Sequence, residues 1–329
     1  HFTIHSFPTR RSSDLIRGLV RQGDHLITTD FDHNSVLRPF HALEQRGTAH
    51  QTRVACDGET GLVDPEAIRQ AIRPETRLIA IVHGSNVTGT LQPVREIGRI
   101  AREHDIPLIV DAAQSIGHLP IDVQRDHIDL LAFPGHKGLL GPLGTGGLYI
   151  RPGLEKRLQT VREGGTGSIS EQPVQPEFMP DRFDSGSHNA IGLIGLSDGV
   201  KWILDQGIDN LWAHEQRLIY LMLQGLDPEH TPGLTLFGPP TRDHRCGVFS
   251  IRIEGYDQPL KLSETLEQQF GILTRSGVHC APLAHETVGT RQCGGTTRFS
   301  LGPFVTEEDV RRATHAVQTL CRQPAEATA

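Results

Sequence analysis

The sequence has few lysines, few aromatic residues and no long apolar run, and each scarcity excludes a class of protein. Lysine accounts for only four of the 32 Lys and Arg residues, and Phe, Trp and Tyr make up 5% of the 329 residues. No apolar stretch approaches the roughly 20 residues that a membrane span needs. The net charge of −7, with both signs mixed along the chain, leaves no basic stripe for nucleic acid or an anionic membrane. A small molecule is therefore the expected partner.

Cysteine is also scarce, and its count bears on location. Five cysteines are spread over the chain, an odd number that fits reduced thiols in a cytosol better than a disulfide framework. None of the 18 histidines shows a convincing zinc spacing. We therefore expect a soluble, cytoplasmic protein without a metal.

Alternating β-branched runs and amphipathic segments fill the chain from Ile16 to about Tyr149, a pattern typical of βαβ units around a mostly parallel sheet. The predicted strands are His25 to Thr29, Arg77 to Val82, Pro107 to Val110, Leu130 to Phe133 and Gly147 to Ile150. Helices are predicted at Asp64 to Ile72 and at Pro93 to His104. The fold class is therefore α/β.

The second half of the chain changes character. The segment Gly164 to Asp184 is predicted to be a long surface loop, and Ala190 to Leu226 a long helical connection. A strand near Val248 to Ile253 and helices at Leu260 to Phe270 and Thr306 to Leu320 follow. We expect a large domain over residues 16–228 and a smaller α+β domain over 229–329.

The first fifteen residues have no usable periodicity and no signal-peptide core. The stretch from His5 to Leu15 resembles the conceptual translation of a short-read sequencing adapter. Residues 1–15 are therefore expected to be non-native, replacing the N-terminal region of a truncated natural chain; a natural tail is the alternative.

Two residues suggest a chemical site. Asp111 follows a buried strand, and Lys137 lies in the glycine-rich run Gly135-His136-Lys137-Gly138. A carboxylate at a strand end can keep a pyridinium nitrogen protonated, and a lysine can supply a Schiff-base amine. From the residues alone, a helix-capping aspartate and a surface lysine explain the pattern equally well.

Three motifs add a family resemblance: Asp111-Ala112-Ala113-Gln114-Ser115, the run from His83 to Thr90, and the run from Gly135 to Pro142. Together they resemble the class V aminotransferase fold, and most closely its cysteine desulfurase and selenocysteine lyase branch. The resemblance implies the PLP-transferase fold type I, with helices on both faces of the central sheet. It also implies pyridoxal 5'-phosphate (PLP) as cofactor, attached to Lys137.

The same resemblance implies roles for other residues around that cofactor. His33 would stack on the pyridine ring, Asp111 would pair with its nitrogen, and Gln114 would bond the phenolic oxygen. Asn86 would lie near that oxygen and the substrate carboxylate. The phosphate would be held by His136 and, from a neighbouring subunit, by Ser187, so a homodimer is expected.

The run Thr274 to Pro282 resembles the loop that presents the nucleophilic cysteine of desulfurases. Cys280 would attack the sulfur of L-cysteine as a thiolate, favoured by Arg275 and His279, leaving alanine and an enzyme persulfide. Arg298 would clamp the substrate carboxylate. A sulfur-acceptor protein would then be a further partner.

Several alternatives remain open from the sequence. Cys280 could instead be a buried structural thiol. A selenocysteine lyase, an aminotransferase or an epimerase would use the same cofactor. An inactive fragment is a further reading, because the expected truncation removes a phosphate-binding turn that the resemblance implies.

Overall fold

The computed structural model describes residues 2–5 and 11–322, with the backbone alone for 2–5 and Arg11. Residues 1 and 6–10 of the predicted non-native segment lie outside the described residues. The contacts divide the chain into two compact units. Unit 1 comprises His1–Ala55, Val63–His83 and Pro93–Ile208, and unit 2 comprises Cys56–Leu62, Gly84–Gln92 and Asp209–Ala329.

Unit 1 is built on a seven-stranded sheet in the order β1-β7-β6-β5-β4-β2-β3. Strands β2 to β6 run parallel to their neighbours, whereas β7 is antiparallel to β6 and β1 is antiparallel to β7. The strands are β1 (Phe2–His5), β2 (Asp24–Thr29), β3 (Ala49–Val54), β4 (Thr76–Val82), β5 (Leu108–Asp111), β6 (Leu130–Pro134) and β7 (Gly146–Ile150).

The central strands of this sheet are continuous apolar runs. All of Leu78 to Val82 in β4 and all of β5 are buried, as expected for strands covered on both faces. The helices of unit 1 are α1 (Arg11–Leu19), α2 (Asn34–Gln45), α3 (Pro65–Gln70), α4 (Val94–Glu103) and α5 (Ala190–Gln206). Apolar residues of α1 and α2, such as Ile16 and Phe40, join the core of the sheet. The predicted α/β class is confirmed.

Unit 2 has its own four-stranded antiparallel sheet in the order β10-β11-β9-β8. Its strands are β8 (Leu234–Phe237), β9 (Val248–Ile253), β10 (Arg275–Gly277) and β11 (Thr296–Ser300). Its helices are α6 (Ile208–Gly225), α7 (Pro259–Phe270), α8 (Pro282–Thr287) and α9 (Glu307–Arg322). Phe249 and Ile251 of β9 pack in one core with Leu218 of α6 and Val317 of α9.

The second half of the chain differs in detail from its predicted organisation. The predicted helical connection from Ala190 to Leu226 consists of two helices, because Gly207 has φ 80° and ends α5. The contacts divide the chain at residues 208 and 209, whereas the predicted domain boundary lies at 228 and 229. The reason is that Leu218, Ile219 and Met222 of α6 bury their side chains in the core of unit 2.

None of the helices within residues 11–322 is long and apolar enough to cross a membrane.

Candidate active site

Asp111 lies at the carboxyl end of β5 in the centre of the parallel strands of unit 1. Its side chain is buried, and Oδ1 accepts a hydrogen bond from the backbone N–H of Ala113 at 3.0 Å. Oδ2 accepts the hydroxyl of Ser35 at 2.8 Å. Among the described residues Asp111 forms no ion pair, so its carboxylate keeps the capacity to pair with a cation.

The N-terminus of α2 brings His33 into the same hydrogen-bonded group. The Nδ1 atom of His33 accepts the backbone N–H of Ser35 at 3.0 Å, so His33 is the N-cap of the helix. Since Ser35 also donates to Asp111, one short segment links the predicted ring-stacking histidine to the predicted partner of the ring nitrogen.

Lys137 lies in a tight turn that follows β6. The turn closes through Gly135 N–H to Thr145 O and Gly141 N–H to Gly135 O, both at 2.7 Å. Its backbone packs directly on the loop after Asp111: a Cβ atom at Gly138 would lie 2.3 Å from the carbonyl oxygen of Ile116. Only glycine allows this approach, which places the Lys137 turn beside the loop that carries the half-buried Gln114.

Three histidines of unit 1, namely His83, His127 and His136, have a buried Nδ1 atom. None of these three atoms has a hydrogen-bond partner among the described residues. Burial lowers the pKa of His83 to about 4, and burial together with the charge of Lys137 lowers the pKa of His136. Such unpaired groups are unusual in a native interior.

The sequence predicts no role for His83, although it is the first residue of the motif from His83 to Thr90. Its backbone N–H donates to the carbonyl of Asp111 at 2.9 Å, which continues the β4–β5 pairing. Asp32 was also missed. It is fully buried, accepts from Thr28, Thr29 and the backbone N–H of Val82, and so ties the end of β2 to β4.

Ser187 is exposed, in the loop before α5. Its neighbour His188 faces Asp184, with 3.4 Å between Nδ1 and Oδ2. Its assignment to the phosphate of a neighbouring subunit stays a prediction.

In unit 2, Asn86 is buried and links two other candidate residues. Its side-chain Nδ2 donates to the backbone carbonyl of His279 at 2.5 Å. The backbone carbonyl of Asn86 accepts a hydrogen bond from Nη1 of Arg298 at 2.7 Å. Asn86 therefore connects the predicted carboxylate anchor to the loop of the predicted nucleophile.

Cys280 presents an exposed thiol in a turn between β10 and α8. The other four cysteines are buried or half-buried. This exposure argues against the alternative of a buried structural thiol.

Two arginines stand side by side near this turn. Arg275 and Arg298 are paired opposite each other in β10 and β11, and neither forms an ion pair within the described residues. Burial, followed by the charge of Arg275, lowers the pKa of Arg298 to about 10, while the nearby Cys280 acts in the opposite direction. The Nε atom of Arg298 is buried without a hydrogen-bond partner among the described residues.

His279 does not contribute a positive charge to the thiol. Burial, followed by the charge of Arg298, lowers its pKa to about 3, so it is neutral at neutral pH. The expectation that His279 favours the Cys280 thiolate by its charge is therefore wrong, and the nearby cations are the two arginines.

The comparison with known proteins identifies the family of the chain. A model of the aminotransferase class-V family matches residues 11–313. The chain belongs to this family. Among its class-V relatives, a probable cysteine desulfurase of Methanothermobacter thermautotrophicus is 35% identical over 296 residues, covering 88% of this chain and 72% of the relative. A cysteine desulfurase of Escherichia coli K12 is 34% identical over 308 residues, covering 92% and 72%.

Solved structures of class-V enzymes share the fold. The apo cysteine desulfurase of Thermococcus onnurineus has a TM-score of 0.88 and 29% identity, over 98% of this chain and 79% of that one. The cysteine desulfurase CsdA of Escherichia coli has a TM-score of 0.85 and 26% identity, over 97% and 78%. The predicted family and fold type are confirmed.

Proposed function

We propose that this class-V protein is a PLP-dependent cysteine desulfurase, which converts L-cysteine to L-alanine and leaves a persulfide on Cys280. The observation that carries the proposal is the exposed Cys280 thiol near Arg298, which faces Arg275 across β10 and β11 and forms no ion pair within the described residues. Relatives that share 34–35% of its residues are named cysteine desulfurases, which supports the same activity here.

The residues of unit 1 fit the cofactor. Asp111 is a buried carboxylate without a cationic partner, as a protonated ring nitrogen requires. His136, next to Lys137 in the same turn, would help to hold the phosphate. Lys137 would supply the amine for covalent attachment, with His33 on the ring and Gln114 at the phenolic oxygen. When bound, PLP supplies an electron sink for the α-carbon of the amino acid.

The residues of unit 2 would handle the substrate. Arg298, with Asn86 beside it, binds the carboxylate of L-cysteine through its planar fork of donors. The thiolate of Cys280, near the cation of Arg298, attacks the substrate sulfur. A sulfur–sulfur bond forms, the bond between Cβ and sulfur breaks, and Cβ takes up a proton to give alanine.

The proposal includes a homodimer, supported by an apolar surface near Ser187. Ile191 and Ile194 on α5 are 86% and 65% exposed, and Leu143 is 79% exposed. Large apolar side chains grouped on one helix suggest a covered surface, and a second copy of this chain is the occupant we propose. Ser187 lies just before α5, where that copy would receive it.

A cytoplasmic location and a sulfur-acceptor protein complete the proposal. The exposure of Cys280 supports the sulfur-acceptor protein, because a persulfide on an exposed cysteine can pass its outer sulfur to the thiol of another protein.

The direct test is Cys280→Ala in the full chain reconstituted with PLP, with alanine and sulfide formation from L-cysteine as readouts. We expect a loss of roughly a thousandfold, because no other thiol can take the sulfur. Cys293→Ala is the matched control and is expected to stay within about twofold, since this thiol is half-buried and held by Arg252 at 3.1 Å. Sulfide release that survives in Cys280→Ala would exclude the persulfide route and favour another lyase step.

A further inference from the structure

The turn that carries Cys280 has an unusual backbone. His279 and Cys280 are consecutive non-glycine residues with φ values of 49° and 60°. The left-handed region crowds the Cβ atom of an L-residue, so such residues persist only where the surroundings hold them in place. Within the turn, the N–H of Ala281 donates to Val278 O at 3.0 Å, and α8 begins at the next residue. One local hydrogen bond alone is a weak restraint for two left-handed residues.

Asn86 supplies a second restraint from a distant part of the sequence. Its Nδ2 atom donates to the carbonyl of His279 at 2.5 Å across 193 residues. This carbonyl belongs to the same peptide plane as the N–H of Cys280, so fixing the oxygen fixes the plane that enters Cys280. The orientation of the thiol then depends on the side-chain amide of Asn86.

Asn86 is itself held firmly. Its carbonyl accepts from Arg298 at 2.7 Å, and the next two carbonyls of the segment accept from Ser250 at 2.6 Å and from Arg245 at 3.0 Å. Three successive carbonyls are thus each bonded by a side chain. The backbone from Asn86 to Thr88 is therefore held in place, so the side-chain amide of Asn86 can orient the turn at His279 and Cys280.

We propose that Asn86 is a positioning residue for Cys280, acting through the carbonyl of His279. Its amide keeps the left-handed turn closed and so keeps the thiol beside the cation of Arg298. The inference rests on the proposed function for the identity of Cys280 as the nucleophile. It gives Asn86 a task in addition to any contact with the substrate.

The test compares the full PLP-loaded chain with its Asn86→Asp variant. Aspartate has nearly the same shape, but it replaces the N–H donor with an oxygen that repels the carbonyl of His279. We expect hydrogen exchange in the peptide from Val278 to His285 to rise roughly tenfold, the effect of losing one hydrogen bond. The rate at which iodoacetamide alkylates Cys280 should change roughly fivefold, because the thiol no longer keeps one orientation. Cys293 serves as the internal reference.

Thr88→Val is the matched control. Thr88 is buried two residues from Asn86, and its hydroxyl contacts Thr90 at 2.8 Å rather than the turn. Unchanged exchange and alkylation in Asn86→Asp would overturn the proposal, as would equal changes in Thr88→Val. Asn86→Ser, whose hydroxyl is too short to reach the carbonyl, repeats the test if the aspartate variant does not fold. Neither readout needs turnover, so a wild-type chain without desulfurase activity would contradict the proposed function alone.

Discussion

The candidate residues of unit 1 and those of unit 2 are held in place by different means. Asp111 and Lys137 follow the parallel strands β5 and β6, whose backbone ladders fix the two turns. Cys280 and Asn86 lie in irregular backbone. The side chains of Arg245 and Arg298 hold the segment around Asn86 by donating hydrogen bonds to its backbone carbonyl groups. Substitutions at the first site should therefore affect chemistry and spare the fold, whereas those around the second should affect both.

Lys137→Ala is the largest expected effect and tests the first half of this contrast. We expect desulfurase activity to fall at least about a thousandfold, because the amine for covalent attachment of PLP is lost. The free energy of unfolding should change by less than about 1 kcal/mol, since the sheet keeps the turn. Alanine production and urea unfolding measure the two. A loss of stability much larger than this would remove the contrast between the sites.

Arg245→Met tests the second half. The guanidinium of Arg245 is fully buried, donates to the four carbonyls of Pro239, Thr88, Val248 and Phe237, and lies 4.8 Å over the ring of Phe249. Methionine would leave these carbonyls unpaired, so we expect the free energy of unfolding to fall by about 3 kcal/mol or more in urea denaturation.

The same substitution at Arg252 is the control for Arg245→Met. Arg252 lies on β9, and within the described residues its side chain donates one hydrogen bond, to the sulfur of Cys293 at 3.1 Å, so we expect a loss below about 1 kcal/mol. Equal losses for the two variants would show that burial of the methylene chain, rather than the four carbonyl bonds, makes Arg245 important.

His285→Gln sharpens the contrast through pH. His285 is fully buried, and burial lowers its pKa to about 4, below the unfolded value of about 6.5. As the pH falls, His285 therefore binds a proton in the unfolded chain before it does so in the folded chain. The stability that neutral, buried His285 contributes is complete above pH 6.5 and is lost as the pH falls toward 4. We expect the wild type to lose about 2 kcal/mol more than the variant between pH 7 and pH 5 in urea unfolding.

The neighbouring His279, 5.6 Å away between ring centroids, has a pKa of about 3 and keeps part of the acid sensitivity in the variant. His315→Gln, on the exposed side of α9, is the control. An unchanged difference between pH 5 and pH 7 in His285→Gln would mean that His285 is not neutral in the folded chain.

Ser35→Ala is the smallest expected effect. It removes the hydroxyl that donates to Asp111 at 2.8 Å, while the backbone bond from Ala113 remains. We expect PLP affinity to weaken about fivefold, as for the loss of one ordinary hydrogen bond, without a change in unfolding midpoint. Absorbance titration with PLP measures the affinity, and Asn34→Ala is the adjacent control. No change in affinity would show that Ala113 alone orients Asp111.

The central strands could be predicted because their apolar sequence patterns and the order of the motifs indicate the same elements. The apolar runs of β4, β5 and β9 give their positions within about two residues, and motif order alone places Asp111 and Lys137 after neighbouring strands. Helix α2 and strand β3 of unit 1 were not predicted from the sequence, and each has a physical reason. Helix α2 contains Pro39, which argues against a helix, and β3 is a polar edge strand with only Ala49 and Val54 buried.

The contacts around Cys280 could not be predicted from local sequence. The bond from Asn86 to His279 joins residues 193 positions apart, and no periodicity announces it. Arg245 looks like any other surface arginine in the sequence, and only the structure shows four carbonyls around it. The charge state of His279 likewise depends on burial, which a motif does not reveal.

The separation of Asn86 from its partners also sets an order of events during synthesis. Asn86 emerges from the ribosome 193 residues before His279 and 212 residues before Arg298. Proteins are made from the N-terminus, and contacts distant in sequence close late. The carbonyl of Asn86 must therefore stay bound to water until β11 has been made, although the next two carbonyls can already bond to Ser250 and Arg245. A chain that ends before β11 would contain all of unit 1 but would lack the bond from Arg298 to Asn86 in unit 2.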